Sequence, residues 1–162
     1  KTIYFIIFFF IYFNLFSQSD NKKIDSILLN TPKEMVKNNI PREKVIAWNL
    51  KMLEETKRKK YYRGIIWCYI NIGNQYWNLG KTDKSLEHLN IAKELTVKHK
   101  VDNFTIAKIF QEFSQVYYAM GSNQLGLENN SKAVYYGKMI EDLERRKKFL
   151  HYVYSTRAIF FL

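Results

Sequence analysis

Three histidines, one cysteine, two pairs of adjacent acids and two runs of cations are the residues of this 162-residue chain whose types could do chemistry. His88, His99 and His151 lie too far apart in sequence to form a local metal pair. His88 reads as solvent-facing on a helix, and His99 as a helix-end residue. The single cysteine, Cys68, excludes an internal disulfide framework and a zinc site of several thiolates. It reads as a small buried hydrophobe rather than a reactive thiol. Glu54-Glu55 and Glu141-Asp142 have the makings of a carboxylate pair for acid–base work. Neighbours on a helix point roughly 100° apart, however, so both pairs read as solvated helix face. There is no Gly-rich phosphate loop, no H-E-x-x-H and no G-x-S-x-G. No catalytic residue, metal or cofactor is therefore expected, and the chain does not read as an enzyme.

The cations are numerous. Lys and Arg total 26 against 15 Asp and Glu, a formal net charge of +11. Lys57-Arg58-Lys59-Lys60 and Arg145-Arg146-Lys147-Lys148 could hold phosphates through salt-sensitive contacts. Both runs, like Lys98-His99-Lys100, are expected where one helix ends and the chain turns into the next. Cations there complement the helix dipole by ~0.3–1 kcal/mol each and stay solvated. An acidic lipid or cell-envelope surface and a nucleic acid remain the two alternative partners for these runs.

The elements that must position these groups follow from composition and periodicity. Hydrophobic residues make up 47% and aromatics 17%, which excludes intrinsic disorder. Six Gly and two Pro argue for long helices over a turn-rich β fold. Ile3–Phe16 is apolar except for Asn14, follows Lys1 and gives way to Ser17, Gln18, Ser19 and Asp20. That is the pattern of a secretory signal peptide, spanning residues 1–19 and cleaved after Ser17 or Ser19. As a helix, the apolar run would reach about 21 Å, short of a ~30 Å hydrocarbon core. No cysteine lies near, so a lipoprotein anchor at this point is excluded. The expected location is the periplasm or cell envelope, with an uncleaved signal anchor as the alternative. The chain opens on Lys1 rather than Met and stops at Leu162 inside an apolar helical pattern. It is therefore expected to be the N-terminal fragment of a longer protein.

Downstream, Ile24, Ile27 and Leu28 suggest a short helix. Thr31-Pro32-Lys33-Glu34 then predicts a new helix start, Thr31 capping and Glu34 closing a capping box. Pro41 opens another helix, striped by Val45, Trp48 and Met52 and running to about Arg58. Ile65, Tyr69, Ile72 and Tyr76 mark the next, ended by Gly80; Thr82 or Asp83 starts one striped by Leu86, Leu89 and Leu95. The cycle recurs from Asp102-Asn103 through Phe104, Ala107, Phe110, Phe113, Tyr117 and Met120 to Gly121. Ser122 or Asn123 caps a helix through Leu127, Ala133 and Ile140 toward Arg146, and Phe149, Tyr152 and Ile159 begin a last one. Nothing alternates with period two. The fold class is all-α.

An internal repeat organises these helices. The shift that carries Gly73 onto Ser114 also carries Tyr76 onto Tyr117, Gly80 onto Gly121, Ser85 onto Gly126 and Ala92 onto Ala133. Gly80 and Gly121 end helices in a left-handed conformation. Gly73/Ser114 and Ser85/Gly126 let antiparallel helices approach closely, with Tyr76/Tyr117 filling the space beside them. Ala92/Ala133 keep the second helix thin where the next repeat leans on it.

On these residues the chain resembles the tetratricopeptide repeat (TPR) family. Tyr69–Leu95, YINIGNQYWNLGKTDKSLEHLNIAKEL, looks like one copy and Phe110–Ala133, FQEFSQVYYAMGSNQLGLENNSKA, like a second. Tyr69, Ile72-Gly73 and Tyr76 stand where that family has an aromatic, Leu-Gly and Tyr; Phe110, Phe113-Ser114 and Tyr117 follow suit. The interval is longer than the family's by about two helical turns, and the proline that ends the family's repeat is absent. The resemblance implies an α-solenoid of antiparallel helix hairpins. It assigns residues 20–61 to a degenerate first repeat, 62–147 to two long repeats and 148–162 to the first helix of a third. Because each repeat covers its neighbour, Ile159, Phe160, Phe161 and Leu162 are expected to be stranded without a partner helix.

The resemblance also implies a concave groove for a protein or peptide partner, lined by Trp67, Ile70, Asn74, Trp77 and Asn78, then Lys108, Gln111, Gln115 and Tyr118. Tryptophan rings give anchoring area and amides pair with peptide backbone. The alternative for Trp67 and Trp77 is packing between repeats. The two-carboxylate clamp of chaperone-binding members is not reproduced, since it would require Lys in place of Ile70 and Asn in place of Glu112. An export signal followed by such an array resembles the sensor part of bacterial membrane regulators of AraC or histidine-kinase type, with a membrane segment beyond Leu162. A stand-alone exported scaffold and a basic nucleic-acid-binding helical protein are the rival readings.

Overall fold

The computed structural model describes the backbone from Thr2 to Ala158 and at Phe160, and side chains from Asp20 to Ala158 and at Phe160. The side chains of residues 1–19, the segment of the expected signal peptide and cleavage point, lie outside what is described. Among the described residues there are seven helices: α1 Thr2–Lys37, α2 Arg42–Arg58, α3 Tyr62–Asn78, α4 Thr82–Lys98, α5 Asn103–Ala119, α6 Asn123–Lys138 and α7 Leu143–Ala158. Among the described residues there is no strand, and no helix is long and apolar enough to cross a membrane.

Contrary to the sequence expectation, Thr31 does not cap a new helix, because α1 continues through Pro32 to Lys37. An interior proline lacks the N–H that would bond the carbonyl four positions back, a defect of ~3 kcal/mol. Here that carbonyl is Leu28 O, and Asn71 Nδ2 of α3 donates to it at 2.9 Å. The packing of α3 thus satisfies what Pro32 leaves open, and one helix replaces two.

Left-handed residues set the turns. Gly80 (φ 71°) and Gly121 (φ 73°) follow α3 and α5 as expected, and Asn39 (φ 58°) and Lys60 (φ 51°) do the same after α1 and α2. After α3, Gly80 N–H bonds Trp77 O and Lys81 N–H bonds Tyr76 O, both at 2.9 Å. The same two bonds recur behind Asn39, Lys60 and Gly121, making four Schellman motifs among the described residues. Asn39 precedes Gly80 by the same interval as Gly80 precedes Gly121, so the repeat extends back into α1.

With only Leu79–Lys81 and Met120–Ser122 between them, α3 and α4, and α5 and α6, pack as antiparallel pairs. The small residues sit at the crossings. A Cβ on Gly73 would lie 3.0 Å from Leu89 Cγ and 3.3 Å from Ser85 O, and Ser85 Oγ donates to Gly73 O at 2.8 Å. In the next pair the exchange is reversed, with Gly126 lying over Ser114 O. Ala92 and Ala133 are fully buried. Tyr76 packs against His88 and Tyr117 stacks on Phe113. Beyond the pairs, α1 touches α3 and α3 touches α5. The main core gathers Leu28, Leu53, Ile66, Ile72, Leu89 and Ile109; a smaller one holds Ala107, Ala133, Phe149 and Val153.

The C-terminal third departs from expectation twice. Helix α6 stops at Lys138 rather than running toward Arg146, and α7 starts at Leu143. Asp142 is its N-cap, accepting from Arg145 N–H at 2.6 Å, rather than part of a solvated helix face. Phe160 is not stranded: it is half-buried, with its ring edge-on to Tyr118 at 5.2 Å and over Gly126. Ile159, Phe161 and Leu162 lie outside the described residues.

Candidate functional site

Helices α1, α3, α5 and α7 face a common cavity of about 820 Å³, closed at its margins by Arg42 at the start of α2 and by Asp142 before α7. The repeat interval explains how four helices supply one wall. Lys33, Asn74 and Gln115 are equivalent positions and all line it. So do Leu29, Gln111 and Tyr152, and so do Trp67, Lys108 and Phe149.

Of the nine residues expected in a groove, Trp67, Asn74, Trp77, Asn78, Lys108, Gln111 and Gln115 line this cavity. Ile70 does not: it is 1% exposed and belongs to the core between α3 and its neighbours. Tyr118 stands apart from the cavity, exposed and packed on Phe160. Trp67 serves packing as well as lining. It is buried, its Nε1 donates to Thr105 Oγ1 at 3.2 Å, and its ring lies 5.6 Å from Phe104. Trp77 is half-buried and so keeps part of its ring open to the cavity.

Polar side chains form a connected floor. Arg42 Nη1 donates to Gln75 Oε1 at 2.8 Å, Gln75 Nε2 to Asn74 Oδ1 at 3.1 Å, and Asn74 Nδ2 to Glu112 Oε2 at 2.8 Å. Lys108 Nζ lies 2.6 Å from Glu112 Oε1 and also donates to Gln111 Oε1. Glu112 is 1% exposed, so this ion pair is held where breaking it by removing one partner is costly. Gln115 Nε2 donates to Tyr152 Oη at 2.6 Å, linking α5 to α7. Gln111, also 1% exposed, leaves its Nε2 without an acceptor among the described residues.

Of the three basic runs expected at helix ends, Lys98-His99-Lys100 closes α4 and one other departs from its expected place. Lys57–Lys60 does sit at the end of α2, as expected, but Arg145–Lys148 lies in the first turns of α7. There the dipole opposes cations instead of favouring them, by a similar ~0.3–1 kcal/mol for those in the first turn. Arg145 and Lys148 line the cavity, together with Lys33, Arg42 and Lys108. The Arg145 guanidinium lies 5.1 Å from the centre of the Phe104 ring. Of the acids that line the cavity, Glu112 is held by Lys108 and Asn74, Asp142 caps α7, and Glu144 pairs with Lys147 at 3.4 Å. Lys33 is exposed as a residue, yet desolvation of its ammonium and, second, the Lys108 charge lower its pKa.

The missed residues carried a signal: stepping the repeat interval back from Asn74 lands on Lys33, and stepping it forward from Gln111 lands on Tyr152. Arg42 and Lys148 have no such marker. Elsewhere, Cys68 is buried beside Thr56 Oγ1 at 3.9 Å, and burial pushes its thiol up to about 12. His88 packs near Tyr69 and Tyr76, and His99 stacks on Tyr62 with centroids 3.5 Å apart. No group of three His, Cys, Asp or Glu gathers to hold a metal among the described residues. The chain matches no protein-family model, no curated protein and no solved structure.

Proposed function

We propose that this protein is an exported TPR-like α-solenoid that binds a protein or peptide partner in the cavity between α1, α3, α5 and α7, in a sensory or scaffolding role. The observation that carries the reading is the convergence of equivalent repeat positions, Lys33/Asn74/Gln115 and Trp67/Lys108/Phe149, on one open face. A stack of helix pairs offset by a constant interval presents the same side-chain row from every first helix, which suits an extended ligand. The lining fits a peptide. Trp77 and Phe104 offer apolar area, while the exposed amide of Asn78 can meet backbone carbonyls.

Asn74 is a poor residue to test, because it supports buried Glu112. Trp77→Leu combined with Asn78→Ala keeps apolar packing and removes an exposed lining amide whose hydrogen bonds stay within α3. Panning the full chain against a random dodecapeptide display library is expected to yield binders that quench tryptophan fluorescence. The double variant should bind them at least tenfold more weakly with an unchanged helical spectrum. Failure to select any peptide, or equal binding by the variant, sinks the reading.

A further inference from the structure

Four cations of the cavity wall have no acid within ion-pair distance. Lys33 on α1, Arg42 on α2, and Arg145 and Lys148 on α7 form no ion pair among the described residues. They flank the wall from both sides, because α3 lies between α1 and α5, and α5 is tied to α7 by Gln115 and Tyr152. Three acids line the cavity and each is already engaged: Glu112 pairs with Lys108 and accepts from Asn74, Asp142 caps α7, and Glu144 pairs with Lys147. Arg145 and Arg146 stand in the first turn of a helix, where its dipole repels them. Phe104 faces Arg145 and Gln75 accepts from Arg42, but neither carries a balancing charge, which an anion in the cavity would supply. A second, independent sign is Gln111. It is a donor almost wholly buried in the cavity wall, with its Nε2 unanswered.

Resting on the peptide-binding reading above, we propose that the occupant is an acidic peptide segment. Its side-chain carboxylates meet Lys33 and Arg42 at one end and Arg145 and Lys148 at the other, and an apolar side chain lies against Trp77 between them. A peptide fits these observations better than a nucleic acid. Between the flanking cations the wall is mostly apolar and amide, and its Lys108 is paired with Glu112, so there is no continuous basic track of the kind that follows a phosphate backbone. Side-chain carboxylates, rather than a chain terminus, suit cations that come from separate helices on both sides.

The experiment uses the same dodecapeptide library, with every peptide amidated at its C-terminus, panned against the full chain and against Lys33→Gln/Lys148→Gln. Both lysines are exposed, so the variant is expected to keep its helical spectrum and melting point. Selected peptides should be enriched in Asp and Glu for the parent chain and lose that enrichment for the variant. The best acidic peptide should bind the parent at least tenfold tighter than its Asn/Gln counterpart, and weaken as salt rises. Peptides selected with no acidic enrichment overturn the proposal but leave peptide binding intact; no peptides at all overturn both. Displacement of the acidic peptide by an equal concentration of a single-stranded oligonucleotide, with the same lysine dependence, assigns the cations to nucleic acid and overturns the proposal.

Discussion

Asn39, Lys60, Gly80 and Gly121 do the same job with different chemistry. Each takes a left-handed backbone after a helix, and each allows the two hydrogen bonds that close the helix end. Glycine adopts that conformation without a Cβ clash, asparagine tolerates it, and lysine is strained in it. The residues are therefore not interchangeable. Gly80→Ala and Gly121→Ala are each expected to cost about 1–2 kcal/mol even though nothing lies within 4 Å of the added Cβ, since the strain is in φ alone. Lys60→Gly should stabilise the chain by up to about 1 kcal/mol, the relief of that strain less the extra chain entropy of glycine. Urea midpoints at constant slope check all three; a neutral Gly80→Ala would show that the turn relaxes freely.

Helix α1 shows how an element can be carried past its own breaker. Its defect at Pro32 is made good by a side chain of α3, Asn71, so neither residue can be understood without the other. Asn71→Ala is expected to cost roughly 1–3 kcal/mol, the penalty of leaving the buried Leu28 carbonyl unmet. In a Pro32→Ala background the intrahelical bond returns, and the same Asn71→Ala change should cost far less. A double-mutant cycle by chemical denaturation reads this coupling; strict additivity would show that Asn71 does not serve the proline. The start of α7 makes a related point, with Asp142 holding the first turn of a helix whose own cations oppose it.

Across the whole molecule, one charged cluster ties three helices together. Asp25 of α1 accepts from Tyr61 Oη at 2.5 Å and pairs with Arg63 of α3, which reaches Asp102 at the start of α5 at 2.8 Å. Burial raises the Asp25 pKa above 3.8 and outweighs the opposing hydrogen bond from Tyr61 and the Arg63 charge. An acid whose pKa is higher in the folded chain binds more protons there than in the unfolded chain. Its contribution to stability is thus full below pH 3.8 and is lost as pH rises through the folded value. Relative to Asp25→Asn, the parent chain should lose stability as pH rises from 3.8, read by melting temperature in matched buffers. A parent that gains stability over that range would mean the Arg63 pair dominates burial.

How much of this was legible in the sequence follows the range of the forces involved. The boundaries of α2 to α5, the left-handed glycines and the close crossings at Gly73 and Ser114 could be read directly, because backbone sterics and apolar periodicity act over a few residues. The repeat interval also marked most of the cavity wall, and stepping it once more from Asn103 gives Glu144, next to Leu143 where α7 begins. Three things needed the tertiary structure: the continuity of α1 through Pro32, the burial of Ile70, and the gathering of unpaired cations opposite one another. Each depends on contacts between residues far apart in the chain, where packing decides which polar group is satisfied and which charge is left without a partner.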